Sequence, residues 1–328
     1  MSNRRSAVAT ARANIALAKY WGKVDTELNL PAVPSISMTL DRLVTETAVS
    51  FDERLDEDRV ALDGKPASER ERERVVELLD RVREAAKLPH RAKVASNNRF
   101  PTAAGLASSA SGFAALAAAA STAAGLKWNA SSLSSLARAS SASAARSIFG
   151  GFVELPAGKA GRGHLAAKPL FGPEHWDLRM VVAETARGPK AVGSTEGMER
   201  SRTSSPYYAA WLELAHRLAS TIRRALRDQN LEILGQAMEQ STFGFHACAL
   251  ASDPALLYWR PTTLAALETV WRLRDDESIS AWATMDAGPH VKVLCHADDV
   301  LRVREGLTKT EGVQGTWITR AGEGVEIR

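Results

Sequence analysis

Cysteine is nearly absent from the 328-residue chain. Cys248 and Cys295 are the only two, and neither lies in a C-x-x-C pair, so a disulfide scaffold and a multi-cysteine metal site are both excluded. Such usage fits a reducing, cytoplasmic setting. Long apolar runs are missing as well. The most apolar stretch, Phe113 to Ala120, falls far short of the roughly 18 residues a membrane span needs, and the basic Met1-Ser-Asn-Arg-Arg-Ser start leads into no apolar signal segment. A soluble protein with no membrane partner is the expectation. Neither sign of charge dominates, with 42 Lys plus Arg against 38 Asp plus Glu and a formal net charge of +4. The basic residues are diffuse and not interleaved with aromatics, which argues against nucleic-acid binding, while a mildly positive surface suits small anionic substrates. What the chain does have is 45% hydrophobic residues and enough length for one two-lobed fold or two ordinary domains, with room for a cleft.

Along the chain, residues 7–20 and 40–51 read as strands, and the two prolines of Leu30-Pro-Ala-Val-Pro34 mark a loop between them. The spacing predicts a surface helix from Ser68 to Lys87, with Ser68 and Glu71 as a capping box and Val75, Leu78, Leu79, Val82 and Ala86 as its apolar stripe. A strand near 92–96 precedes an Ala/Ser/Gly run, Pro101 to Leu126, whose helix propensity and scattered large apolar residues indicate a tightly packed helix. A second Ser/Ala patch at 139–147 leads to a strand at 152–155. Beyond it come a strand at 178–184, helices at 206–229, 231–250 and 261–275, and strands at 280–285 and 291–295. Without regular βαβ alternation the class is α+β, with a lobe boundary expected near Arg187-Gly-Pro189, dividing the chain into 1–187 and 188–328.

Four segments could carry chemistry. Pro101-Thr-Ala-Ala-Gly-Leu-Ala-Ser-Ser109 runs into a helix, where free N–H groups and the positive dipole end attract phosphate and Ser108 or Ser109 can add hydroxyls. The same residues could equally be a small-residue helix packed on a sheet. In Asn14-Ile-Ala-Leu-Ala-Lys-Tyr-Trp-Gly-Lys23, strand alternation turns Lys19 inward, where it needs an acidic partner or an anionic ligand. An earlier strand end would instead let Lys19 reach water. Asp286, in Met285-Asp-Ala-Gly-Pro289, is either a turn former or that acidic partner, held ionised by an ammonium and able to orient a hydroxyl. Ser140-Ser-Ala-Ser-Ala-Ala-Arg146 sets an arginine among small hydroxyl residues, a setting for a phosphate or carboxylate or simply a helix end.

In this order the segments resemble the diphosphomevalonate decarboxylases of the GHMP kinase superfamily. The similarity lies in N-I-A-L-A-K-Y-W-G-K at 14–23, N-N-R-F-P-T-A-A-G-L-A-S-S-A-S at 97–111, S-A-S-A-A-R-S-I-F-G-G-F at 141–152, S-T-E-G-M at 194–198, F-H-A at 245–247 and M-D-A-G-P at 285–289. The resemblance implies an N-terminal lobe like ribosomal S5 domain 2, a C-terminal ferredoxin-like lobe, ATP and Mg²⁺ with mevalonate diphosphate in the cleft, and a homodimer. By similarity Asp286 is catalytic, with Lys19, Arg146 and Ser109 beside it. Asn98, Pro101, Ala104, Gly105, Leu106, Ala107, Ser108 and Ser109 would hold ATP, Ser109 also meeting phosphate-bound magnesium. Tyr20, Trp21, Lys23, Ser141, Ser143, Arg146, Ser194 and Met198 would line the substrate pocket. Ser140 and Ala142 stand where the family has glycines, and Ala145 replaces a small polar residue, each glycine exchange adding a Cβ to the pocket backbone. His290 stands where asparagine is usual. The alternatives of the same fold are a phosphomevalonate decarboxylase and a mevalonate 3-kinase.

Overall fold

The computed structural model describes residues 5–99, 108–186, 188 and 192–328. The chain opens with β1 (Arg5–Ala18), a small ribbon of β2 (Lys23–Asp25) and β3 (Leu30–Pro31), and the long β4 (Ser35–Asp52). Leu30–Pro31, expected within a loop, is therefore a short strand. A two-stranded ribbon is all edge, where a missing N–H is tolerated, and Ala32 extends the pairing at the open end by donating to the Gly22 carbonyl at 3.0 Å. Next come β5 (Arg59–Leu62), β6 (Lys65–Pro66), α1 (Glu69–Ala86), β7 (Arg91–Asn98), α2 (Ser108–Ala123) and α3 (Ala130–Ser140). α1 follows its predicted stripe: Val75, Leu78, Leu79 and Val82 are buried, and the Ser68 backbone N–H and hydroxyl both donate to Glu71.

A 3₁₀ segment, Ala142–Ile148, leads to β8 (Phe152–Leu155), β9 (Lys168–Phe171) and β10 (Leu178–Glu184). Four helices follow: α4 (Ser194–Ser204), α5 (Tyr208–Arg227), α6 (Leu231–Leu250) and α7 (Pro261–Asp275). The chain ends with β11 (Trp282–Thr284), β12 (Val291–His296), α8 (Val300–Lys309), β13 (Gly315–Arg320) and β14 (Glu326–Ile327).

Two sheets organise these elements. The larger runs β14-β1-β4-β7-β5-β6, with β8 and β9 attached beside β4; the smaller runs β11-β12-β10-β13. Helices α1, α2 and α3 cover the first sheet. In α2 the buried run Ala114, Ala115 and Ala117–Ala120 presents almost no side-chain bulk, so the helix lies close against β1 and β4. Helices α7 and α8 cover one face of the second sheet through Val270, Leu273, Val303 and Leu307. Its other face, with Met180, Val182, Trp282 and Leu294, shares a core with Ile15, Leu17, Ile36 and Met38 of the first sheet and with α5 and α6. β10 joins the second sheet although it precedes residue 187, and β14 returns to the first, pairing Ala9 with Ile327. The shared core sets the end of β1 against the end of β11, and the site lies there.

Candidate active site

β1 stops at Ala18, and Lys19 is the first residue beyond it, yet the ammonium still points inward. The Lys19 backbone N–H donates to Ser241 Oγ on α6 at 3.0 Å, and Nζ donates to the Ala16 carbonyl at 2.9 Å. Lys19 Nζ also meets Asp286 Oδ1 at 2.8 Å, with the lysine side chain 3% exposed and the aspartate 35%. The expected long-range pairing of Lys19 with Asp286 is therefore present. Asp286 follows β11 in a turn closed by Gly288 N–H donating to its carbonyl at 2.7 Å, so its backbone forms the turn while its side chain faces the lysine. A second buried ammonium, Lys292 of β12, donates to Oδ2 at 3.1 Å.

Burial lowers Lys19 and the Asp286 carboxylate raises it, leaving it at about 8. Burial favours a protonated Asp286, but Lys19 and Lys292 outweigh that effect and hold its carboxyl well below the usual carboxylate range.

Arg146 lies on the 3₁₀ segment and is 2% exposed. Its Nε donates to Ser37 Oγ at 3.0 Å and Asn14 Oδ1 at 3.3 Å, and its Nη1 to Ser35 Oγ at 2.5 Å. Burial lowers it to about 10, against the pull of Asp286, so it remains a cation at neutral pH. Neutral oxygens hold the guanidinium in place and leave its charge for an anion. Asn14 is fixed in turn by donating to Ser147 Oγ at 2.8 Å and to the Ser143 carbonyl, while the Ser141 and Ser143 hydroxyls meet at 3.1 Å. No residue from 140 to 145 adopts positive φ, so the backbone accommodates the side chains at Ser140 and Ala142.

Trp21 and Met198 are buried together with Phe245, Tyr258 and Trp211, and Tyr20 packs against this cluster. Gly197, on the α4 turn that also carries Met198, has no room for a side chain: a Cβ would come 2.4 Å from the Tyr258 hydroxyl and 2.9 Å from the Trp21 ring. Tyr20 Oη, Trp21 Nε1, Tyr258 Oη and His246 Nε2 are buried with no hydrogen-bond partner among the described residues. Unsatisfied groups of this kind cost about 1–3 kcal/mol each, so a cluster of them fits a site whose polar ligand completes the bonding. Lys23, on β2, is lowered by burial and by nearby Arg74, the mark of a positive rim. Ser194 is the first residue of α4.

On the expected nucleotide side, Pro101, Ala104, Gly105, Leu106 and Ala107 lie outside the described residues. The two ends of that segment are linked: Asn98 Oδ1 accepts from Thr45 Oγ1 at 2.7 Å, Thr45 meets Ser111 Oγ at 2.6 Å, and Ser111 donates to the Ser108 carbonyl. Ser109, exposed on the first turn of α2, is free of the packing that holds Ala110 and Ser111. Among the described residues no cluster of His, Cys, Asp and Glu could cage a metal ion. A divalent cation that keeps mainly phosphate and water oxygens is compatible with that.

Two family models match the chain: the diphosphomevalonate decarboxylase-like N-terminal domain over residues 11–166, and the mevalonate 5-diphosphate decarboxylase C-terminal domain over residues 180–321. The chain belongs to the diphosphomevalonate decarboxylase family. It is 35% identical to the diphosphomevalonate decarboxylase of Candida albicans, covering 96% of this chain and 91% of that one. It is 33% identical to the phosphomevalonate decarboxylase of Haloferax volcanii, covering 91% of each. It also superposes on the solved structure of MDDEF in complex with MVAPP, AMPPCP and magnesium, with a TM-score of 0.92, 38% identity and 99% of each chain covered. The fold of this diphosphomevalonate decarboxylase family member is thus the two-lobed GHMP kinase fold, in agreement with the α+β expectation.

Sequence reasoning missed Lys292, Asn14, Ser35 and Ser37 as site residues. The signals were present. Lys292 is a lone charge inside the apolar strand Val-Lys-Val-Leu-Cys, and Ser35 and Ser37 repeat at the strand period of two, which puts both hydroxyls on one face.

Proposed function

We propose that this protein phosphorylates the 3-hydroxyl of mevalonate diphosphate with ATP and then releases phosphate and CO₂, yielding isopentenyl diphosphate. The observation that carries the reading is the half-open Asp286 carboxylate gripped by buried ammonium groups, with Arg146 close enough to feel its charge. A 3-hydroxy acid offers decarboxylation no electron sink, so the hydroxyl must first become a leaving group.

A carboxylate held this far below its usual range is a weak base but a permanent hydrogen-bond acceptor. Asp286 therefore orients the 3-hydroxyl and accepts its proton late, as the bond to the γ-phosphorus forms and the bond from that phosphorus to ADP breaks, and then returns the proton to solvent. Phosphoryl transfer tolerates this, because its loose transition state asks little nucleophilic push and much positioning and charge neutralisation. Lys19, Lys292 and Arg146 set three cations against one carboxylate, a surplus that suits a transferring phosphoryl group and the carboxylate of the substrate. Once phosphate departs, Asp286 is the negative group beside the electron-poor C3, and CO₂ leaves as its bonding electrons fill that centre. Magnesium bound with the nucleotide would neutralise phosphate charge, and Ser109 is the side chain that would meet it; we assign Asn98 and Ser108 to the nucleotide. We assign Tyr20, Trp21, Lys23, Ser141, Ser143, Ser194 and Met198 to the substrate. A cytoplasmic homodimer is the working form suggested by the family resemblance.

The Haloferax relative, matched over as much of its length as of this chain, favours a second reading in which the substrate carries a single 5-phosphate. ATP-dependent CO₂ release from mevalonate, its 5-phosphate and its 5-diphosphate decides between them. The expected result is fastest turnover of the 5-diphosphate; preference for the 5-phosphate establishes the second reading, and phosphorylation without CO₂ release establishes a 3-kinase.

A further inference from the structure

Lys292 sits on β12, whose Val291, Val293 and Cys295 point into the core beneath α7 and α8. The opposite face carries Leu294 into the core shared with β1 and α6. By alternation Lys292 falls on that second face, beside its register partner Thr284. An ammonium there is 2% exposed, and the partner that offsets its burial is Asp286 Oδ2. Lys19 holds the other oxygen. One carboxylate is therefore divided between two buried ammonium groups, a motif no stability argument requires, since a single pair would already be neutral.

Given the phosphoryl transfer proposed above, we infer that Lys292 is a positioning residue, which fixes the plane of the Asp286 carboxylate and, by taking Oδ2, leaves Lys19 only Oδ1 to pair with. Lys19 is faced by Asp286, by Lys292 from β12, by Arg146 from the 3₁₀ segment and by His246 from α6. The imidazole is held neutral, burial pushing it down to about 3, so it adds no charge. Removing Lys292 leaves Asp286 wholly to Lys19 and removes a like charge; both changes strengthen the hold of Lys19 on its proton.

The test compares wild type with Lys292→Met and Lys292→Arg in the full-length protein. For Lys292→Met, kcat should fall about 10- to 100-fold with KM for both substrates changed less than about threefold, and the alkaline limb of kcat/KM should move up by about one pH unit. Lys292→Arg, which keeps the charge, should restore the limb and much of kcat. The Lys19 titration is also followed without turnover, by NMR of lysine labelled with ¹³C at Cε, and its midpoint should rise in Lys292→Met. A chain that releases no CO₂ yet shows this rise sinks the decarboxylase reading and upholds the division of the carboxylate. A lower melting point with both the limb and the NMR midpoint unmoved makes Lys292 a structural cation and overturns the inference. Should Lys292→Met not fold, Lys292→Gln, which keeps a donor to Oδ2 without the charge, takes its place under the same criteria.

Discussion

Among the described residues, aspartates are held by buried cations in two clusters, and the two are built to opposite ends. Asp58, 2% exposed at its side chain, receives both arms of Arg83 at 2.9 Å and the Ala92 backbone N–H at 2.7 Å. Its oxygens are taken up by a bidentate guanidinium and a backbone donor, with Arg91 3.8 Å away and Asp80 also on Arg83, and the cluster ties α1 to the start of β7. Asp286 is about a third exposed, shared by two lysines, and lies in the field of an arginine whose hydrogen bonds go to neutral oxygens. A saturated, closed cluster locks secondary structure together. A cation-rich cluster left open on one side is unfinished until an anion arrives, and that asymmetry separates a site from a brace.

The contrast can be broken in four places. The largest effect belongs to Asp286→Asn, which removes the charge while keeping the shape: turnover should drop by about 10³-fold or more, with ATP and substrate still binding by calorimetry. Near-normal turnover would remove Asp286 from the chemistry. Arg83→Ala should instead cost up to about 3–5 kcal/mol of stability in urea titration, because buried Asp58 keeps only Arg91, 3.8 Å away, and one backbone donor, while kcat of the folded fraction stays within about twofold of wild type. Third, Lys19 titrates at about 8, so kcat/KM should decline above that pH, approaching about tenfold per unit. The unfolded chain keeps this proton to about 10.4, so between the two values it binds more protons than the native state, and the Lys19 contribution to stability rises with pH. Activity should therefore fall in that window while circular dichroism shows an intact fold; simultaneous loss of both would assign the limb to unfolding. The smallest effect is expected of Ser37→Ala, which removes the shorter of the two hydrogen bonds from Arg146 Nε: about 1 kcal/mol, or fivefold in kcat/KM, with unchanged melting.

Much of this arrangement was legible in the sequence. The apolar stripe of α1, the small-residue packing of α2 and the long helices α5 to α7 follow from periodicity and caps that act within a few residues. The extension of β4 back to Ser35 was left unassigned between the loop at 30–34 and the strand at 40–51; in Ser-Ile-Ser-Met-Thr the alternate hydroxyls of Ser35 and Ser37 face Arg146. α8, β13 and β14 lacked strong local signals and take their places from long-range pairing. Lys19 was legible as a residue needing a partner, but strand alternation alone left its direction open, and the contact with Asp286, 267 positions away, decides it. Lys292 escaped because an apolar strand was read as an average and not residue by residue.

The return of β14 to β1, with Val8 and Arg328 exchanging backbone hydrogen bonds at 3.2 and 2.8 Å, means that the lobes are linked twice, once before β10 and once after β13. These two crossings add to the core that the sheets share with α5 and α6, so the halves are joined by chain as well as by packing. Ammonium and carboxylate, contributed from opposite halves, are thereby held to a common frame.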